Sequence, residues 1–254
     1  MIRGNPSYCV EPPFVPSQIE ESPSQCYVHS LMEGIDWFPL ELSLRVAVIA
    51  TFIVMLVGVG IAWLLARRKF PGREFVDALI TLPLVLPPTV LGYYLLVALG
   101  QRSPIGRAIE FATGLRLVFT WQGAVIASTV GALPLVVKTA RASIAAVDIN
   151  LENAARTLGK TEWQVFWRVT LPLASRGVVA AGMLAFARAL GDFGATLMVA
   201  GNIPGRTQTA AIAIYDATQS GRDNYALTLV LILSAIALSL LYFTNRFSSQ
   251  SARW

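Results

Sequence analysis

The sequence predicts an all-α polytopic membrane protein, and three observations carry that prediction. Of the 254 residues 55% are hydrophobic and only 14% charged, against about 25% charged in an ordinary soluble domain. Mean hydropathy is +0.59. Several apolar stretches reach the roughly 20 residues a helix needs to cross about 30 Å of hydrocarbon, whereas the alternating segments of about ten residues that mark a membrane barrel are missing.

Residues 1–34 differ in kind, being polar and rich in Pro, Ser and Glu. They lack the basic start and apolar centre of a cleavable signal, so disorder is expected there. Two readings stay open. Either Met32 is the true start and the upstream stretch is an extension of the gene model, or the segment is an extracytoplasmic tail with a Cys9 to Cys26 disulfide. Those two cysteines and the only histidine, His29, all precede the first apolar stretch, which leaves no Cys/His cluster for a metal.

The membrane domain is expected over 35–248, with 249–254 as a tail. Five spans are predicted, at 43–66, 76–99, 119–141, 177–200 and 225–244. TAAIAIYDATQS, 209–220, is apolar but too short to cross, and is expected as a short sixth helix, external or re-entrant. Pro83, Pro87 and Pro88 in the second span and Pro134 in the third remove helix hydrogen bonds and permit bends. Carbonyls freed there need a wet cavity or a neighbouring helix; a static kink in a packed bundle is the alternative for each.

Net charge is +5, and the basic residues gather in the connections between spans. Twelve Lys and Arg fall on one side, after the first and third spans and in the tail, against six on the other. The richer side is expected in the cytoplasm. The N-terminus is then outside, and the segment 142–176 and the C-terminus are inside.

That cytoplasmic segment contains ENAARTLGKTEWQVFWRVTLP, 152–172. Asp148 suits the N-cap of a helix over 149–158, which Gly159 can end in the left-handed conformation. Thr161 with Gln164 makes a capping box for a second short helix, and Pro172 is expected to limit it. Helices this short are marginal alone in water, yet Leu158, Trp163, Phe166 and Trp167 offer a large apolar surface at roughly helical spacing. Either the bilayer interface or a socket in a partner must cover it.

Ala154-Ala155, Gly159, Val169, Leu171 and Pro172 match the spacing of E-A-A, three residues, G, nine residues, I/V, one residue, L-P. The chain thereby resembles the inner-membrane permeases of ABC importers. Asn153 stands where that signature has Glu, with Glu152 one residue early; an Asn can hydrogen-bond but cannot form an ion pair. The resemblance implies a type I ABC importer permease fold whose coupling helices dock into a groove on a separate ATPase subunit. Asn153, Ala154, Ala155, Leu158, Gly159, Trp163, Phe166 and Trp167 would make that contact. The chain carries no nucleotide site of its own: GNIPGRT, 201–207, is not G-x-x-x-x-G-K-[ST], and VGVG, 57–60, lies inside a span. It is therefore not expected to be an enzyme or to hold a cofactor, ATP and Mg belonging to the partner.

FPGREFVDALITLPLVLPPTVLGYYLL, 70–96, and FARALGDFGATLMVAGNIPGRTQT, 186–209, resemble molybdate permeases, with the likeness running from about 35 to 245. Sulfate permeases are similar in the acidic-Phe-Gly-Ala core, but GNIPGRTQT looks more like the molybdate branch. Tungstate, an almost isosteric tetrahedral dianion, is not separable by sequence. The resemblance implies a homodimer in the cell inner membrane, served by two ATPase subunits and an extracytoplasmic molybdate-binding protein, with no nucleic acid partner. Sulfate or tungstate transport, or a carrier or channel working without an ATPase, are the alternatives.

Arg188 and Asp192 form the one charged pair within the core of a predicted span, at i and i+4, so each can neutralise the other. Gly191 and Gly194 flank Asp192 and allow close helix approach or a local break. A dianion path needs hydroxyls without a deep charge trap, and Thr89, Ser128, Thr129 and Thr196 are candidates alongside the pair. Each is equally suited to ordinary helix packing. An intramembrane enzyme would need H-E-x-x-H, a Ser-Lys dyad or paired aspartates, and only Asp192 lies deep in a predicted span.

Overall fold

In the computed structural model, residues 36–68 and 70–249 are described; the expectations for residues 1–34 and for Met32, Cys9 and Cys26 lie outside them. In chain order the helices are α1 (Phe38–Arg67), α2 (Arg73–Val85), α3 (Pro88–Leu99), α4 (Pro104–Thr113), α5 (Trp121–Ala145), α6 (Ile149–Thr157) and α7 (Glu162–Val165). A π-helical turn, Phe166–Thr170, follows, and then α8 (Leu171–Leu190), α9 (Gly194–Ala200), α10 (Ala210–Gln219) and α11 (Asp223–Ser249). Among the described residues, four helical stretches are long and apolar enough to cross a membrane: Phe38–Arg67, Trp121–Ala145, Glu162–Leu190 and Asp223–Thr244. α2 with α3 makes a fifth if the bent pair counts as one span.

The centre is built from α1, α5 and α8. Val54, Ala62 and Leu65 of α1 meet Val136, Val137, Ala140 and Ile144 of α5, with Phe166, Ala174, Val178 and Ala185 completing the cluster. A second cluster joins Leu42, Val46, Ala47 and Ala50 of α1 to Ala124, Val125, Ala189, Leu190 and Ala200. Alanine recurs in both clusters, five times in each, because membrane helices associate by close backbone approach rather than by hydrophobic force. At the α5–α8 crossing a Cβ built on Gly177 would fall on the Ser143 hydroxyl. α11 turns Leu227, Leu231, Leu238 and Leu241 outward, as a lipid-facing helix should.

Two predicted spans are broken. The second is bent by 113° between α2 and α3, because Leu86 precedes one proline and Pro87 another, and both adopt extended backbone with ψ of 140° and 137°. Pro83, by contrast, sits inside α2 and Pro134 inside α5 without ending either helix. The fourth ends at Leu190 and restarts at Gly194, so Asp192 lies in a break rather than within a helix. The connection between the second and third spans holds α4, which sequence reading passed over despite its signals: the Ser103 hydroxyl accepts from the Gly106 N–H, Pro104 opens the helix and Gly114 closes it at φ +68°.

The broken pieces pack on each other. A Cβ on Gly92 of α3 would lie 2.7 Å from Met198 Cβ and 2.9 Å from Ala195 Cα of α9. Gly92→Ala is therefore expected to force α3 and α9 apart at a cost of about 1–3 kcal/mol, read as a lower aggregation temperature of the detergent-solubilised protein.

Candidate coupling surface and translocation site

α6 and α7 are short helices held by local chemistry. Asp148 caps α6, its side chain accepting from the Asn150 N–H at 2.9 Å. Gly159, at φ +79°, turns the chain between the two helices. Thr161 and Gln164 form the expected reciprocal capping box, worth about 1 kcal/mol. Arg156 ties the two helices together: its Nε and Nη2 donate to Glu162 at 2.8 and 3.1 Å, and its Nη1 donates to Asn153 Oδ1 at 2.8 Å. The hydrogen bonding to Glu162, ahead of the attraction of the Glu162 and Glu152 carboxylates, holds the Arg156 guanidinium further above its ordinary range. That cation stays charged across physiological pH.

Pro172 does not end the second helix. Glu162–Leu190 runs on as one helical stretch, because the turn before the proline widens and the Leu171 N–H donates to the Phe166 carbonyl five residues back. A proline has no N–H to give and its ring crowds the preceding turn, and a π turn relieves both. The second short helix is thus the N-terminal end of a long apolar helical stretch.

The four apolar residues proposed for the surface divide. Leu158 is 79% exposed, Trp163 63% and Trp167 50%, whereas Phe166 is 5% exposed and packs against Trp63 of α1 at 5.2 Å between ring centroids. Phe166 also touches Trp163 and Trp167, at 5.9 and 5.5 Å. Asn153, Ala154 and Gly159 are exposed and Ala155 half-buried. One face of the segment is open and apolar; the other is anchored in the bundle.

Glu152, read from sequence only as a signature residue out of register, is 1% exposed. Its Oε1 lies 2.7 Å from Arg67 Nη2 in an ion pair and accepts from the Thr170 hydroxyl at 2.7 Å, and its Oε2 lies 3.4 Å from Arg156 Nη2. Arg67 Nη2 also donates to the carbonyls of Ile144 and Val147 at 2.9 and 3.2 Å. The Glu152 and Arg156 spacing of four was a visible signal; the long-range partners Arg67 and Thr170 were not.

Within the spans, Arg188 Nη1 donates to Asp192 Oδ1 at 2.9 Å and the Thr196 hydroxyl donates to Oδ2 at 2.5 Å. Asp192 is 3% exposed. A Cβ on Gly131 of α5 would stand 3.5 Å from Arg188 Nη2, and one on Gly194 would stand 2.9 Å from Pro88 Cβ and 3.3 Å from the Thr89 nitrogen. The two span breaks, at 86–87 and 191–193, therefore meet, and Thr89, Arg188, Asp192 and Thr196 are brought to one region beside α5. Thr89 itself is exposed. Ser128 is buried one turn before Gly131 with its hydroxyl unpartnered. Thr129 spends its hydroxyl on the Val125 carbonyl of its own helix, which leaves it the weakest of the six. Among the described residues no group of three or more His, Cys, Asp or Glu is placed to hold a metal ion.

Comparison with known proteins fits this architecture. Proteins named molybdenum transport system permease protein ModB, from Haemophilus influenzae and Escherichia coli strain K12, are 47% and 44% identical to this chain over 203 and 204 residues. Each alignment covers 80% of this chain, and 88% and 89% of the respective relatives. A probable sulfate transport system permease of Chlorokybus atmophyticus is 36% identical over 80% of this chain and 71% of its own. Among solved structures, a bacterial ABC transporter involved in import of the acidic polysaccharide alginate superposes with a TM-score of 0.69 at 15% identity, covering 90% of this chain and 84% of that one. The family model described as the binding-protein-dependent transport system inner membrane component matches residues 44–249, and the chain belongs to that family.

Proposed function

We propose that this chain is the permease subunit that carries molybdate inward across the cytoplasmic membrane, working as one of two identical copies with two ATPase subunits and an extracytoplasmic molybdate-binding protein. The similarity at 44% and 47% identity to proteins named as molybdenum permeases, over most of both chains, carries the choice of substrate. The open apolar face of Leu158, Trp163 and Trp167 supports docking of an ATPase there, with ATP and Mg held entirely by that partner. The charge balance between connections supports a cytoplasmic 142–176 segment and C-terminus, with the N-terminus outside.

In this reading the region where the two span breaks meet lies on the path. A tetrahedral dianion needs transient donors, and Arg188 offers a cation already neutralised by Asp192, so the anion is attracted without being trapped. Ser128, Thr89 and Thr196 add hydroxyls, and high affinity resides in the binding protein. Sulfate is the second reading, favoured by the 36% identical relative.

Uptake of labelled molybdate by cells lacking their own permease tests the substrate. Expression of this chain with its ATPase and binding protein is expected to restore uptake, with competition by molybdate and tungstate and at least tenfold weaker competition by sulfate. Dominant competition by sulfate overturns molybdate; uptake that persists without the ATPase subunit overturns the coupling.

A further inference from the structure

Among the described residues, Glu152 is the one buried charged side chain outside the spans, and the coupling contact leaves it unexplained. It sits on α6 but points away from the open face, and its carboxylate is gripped by groups from two other elements, Arg67 at the end of α1 and Thr170 in the π turn, with Arg156 of the same short helix 3.4 Å away. Arg67 extends the junction, since the nitrogen that reaches Glu152 also reaches the Ile144 and Val147 carbonyls at and just beyond the end of α5, where a cation suits the helix dipole. One carboxylate thus joins α6 to α1, α5 and the start of α8. Beside it, the Trp63–Phe166 pair joins α1 to the same π turn, and Phe166 touches both exposed tryptophans.

A surface helix of nine residues, Ile149–Thr157, cannot transmit force by its own stiffness, because a short helix is marginal in water and its flanking turns bend. The burial of Glu152 with a full set of partners removes that slack. Buried, hydrogen-bonded ion pairs add little net stability over an apolar replacement, so their retention here calls for a role other than holding the fold. We propose that Glu152, through Arg67 and Thr170, is a positioning residue that locks the coupling segment to the ends of α1, α5 and α8, so that displacement imposed on its open face reaches the spans instead of being absorbed in the loop.

This inference rests on the reading that a separate ATPase docks at the open face. The full complex of permease, ATPase and binding protein, reconstituted in liposomes, supplies two readouts: ATP hydrolysed and labelled molybdate taken up. Glu152→Gln keeps the shape and an acceptor for Thr170 but removes the charge that Arg67 holds. It is expected to leave assembly with the ATPase and hydrolysis within about twofold, while uptake per ATP falls at least tenfold. Thr170→Val is expected to lower uptake per ATP about threefold, and Thr170→Ser, which keeps the hydroxyl, to restore it. Normal uptake per ATP in Glu152→Gln overturns the proposal, as does equal failure of Thr170→Val and Thr170→Ser, or loss of assembly in proportion to loss of uptake. The underlying reading fails separately, by absence of ATP-dependent uptake in the unaltered complex.

Discussion

Asp192→Ala is expected to lose most of the folded protein, and Arg188→Ala/Asp192→Ala to recover it. In the single variant the Arg188 guanidinium, now without the carboxylate 2.9 Å away, is left as an uncompensated charge beside Gly131, and the Thr196 hydroxyl loses its acceptor. Removing one partner of a buried ion pair costs about 3–5 kcal/mol, whereas removing both is close to neutral. The check is the yield of monodisperse protein in detergent, with the double variant within about twofold of the unaltered chain and the single variant at least tenfold lower. Uptake then separates two roles. A path contribution from the pair leaves the double variant folded but at least tenfold slower in molybdate uptake; full uptake would reduce the pair to a structural tie.

The apolar spans were legible because length and hydropathy are local quantities: α1, α5 and α11 fall close to the stretches read from composition. So were features governed by a few adjacent residues, namely the Asp148 cap, the left-handed Gly159, the Thr161–Gln164 box and the short helix α10, predicted at 209–220 and found over Ala210–Gln219. Direction was not legible. A hydropathy window cannot distinguish a straight crossing from two helices bent by 113°, although the Pro87-Pro88 pair marked the place. Pro172 misled for a related reason. Its effect depends on whether the preceding turn can widen, and the hydrogen bond from Leu171 to Phe166 that accompanies this is not announced by the residue types.

Which side of a helix faces inward was the other illegible quantity. Helical spacing placed Leu158, Trp163, Phe166 and Trp167 in a single surface, but Phe166 belongs to the bundle, because Trp63 lies across from it on a helix about a hundred residues earlier. Glu152 escaped notice for the same cause. Nothing in its neighbourhood announced Arg67 as partner, and a carboxylate in a polar stretch is ordinarily solvated.

Trp163→Ala and Trp167→Ala are expected to weaken association with the ATPase by about 30-fold each, corresponding to about 2 kcal/mol for a buried aromatic anchor, while leaving the permease folded. The two rings contact each other at 5.6 Å and share Phe166 beneath them, so the double variant should lose less than the product of the single losses; side chains in contact are not additive. Stability is spared because both indoles are at least half exposed in the chain alone, and the hydrophobic cost of leaving them open is already present. Leu158→Ala, at the far edge of the same face, is expected to lose less than tenfold. Titration of the detergent-solubilised permease with labelled ATPase gives the affinities, and the melting temperature of the permease alone must shift by less than 2–4 °C, roughly 1 kcal/mol for a chain of this size. Unchanged affinity in the double variant would instead return the tryptophans to the bilayer interface, where indole rings are also at home. Partitioning of the 152–172 segment into lipid, read from the depth of a spin label placed at Lys160, would then be large where docking predicts it to be small.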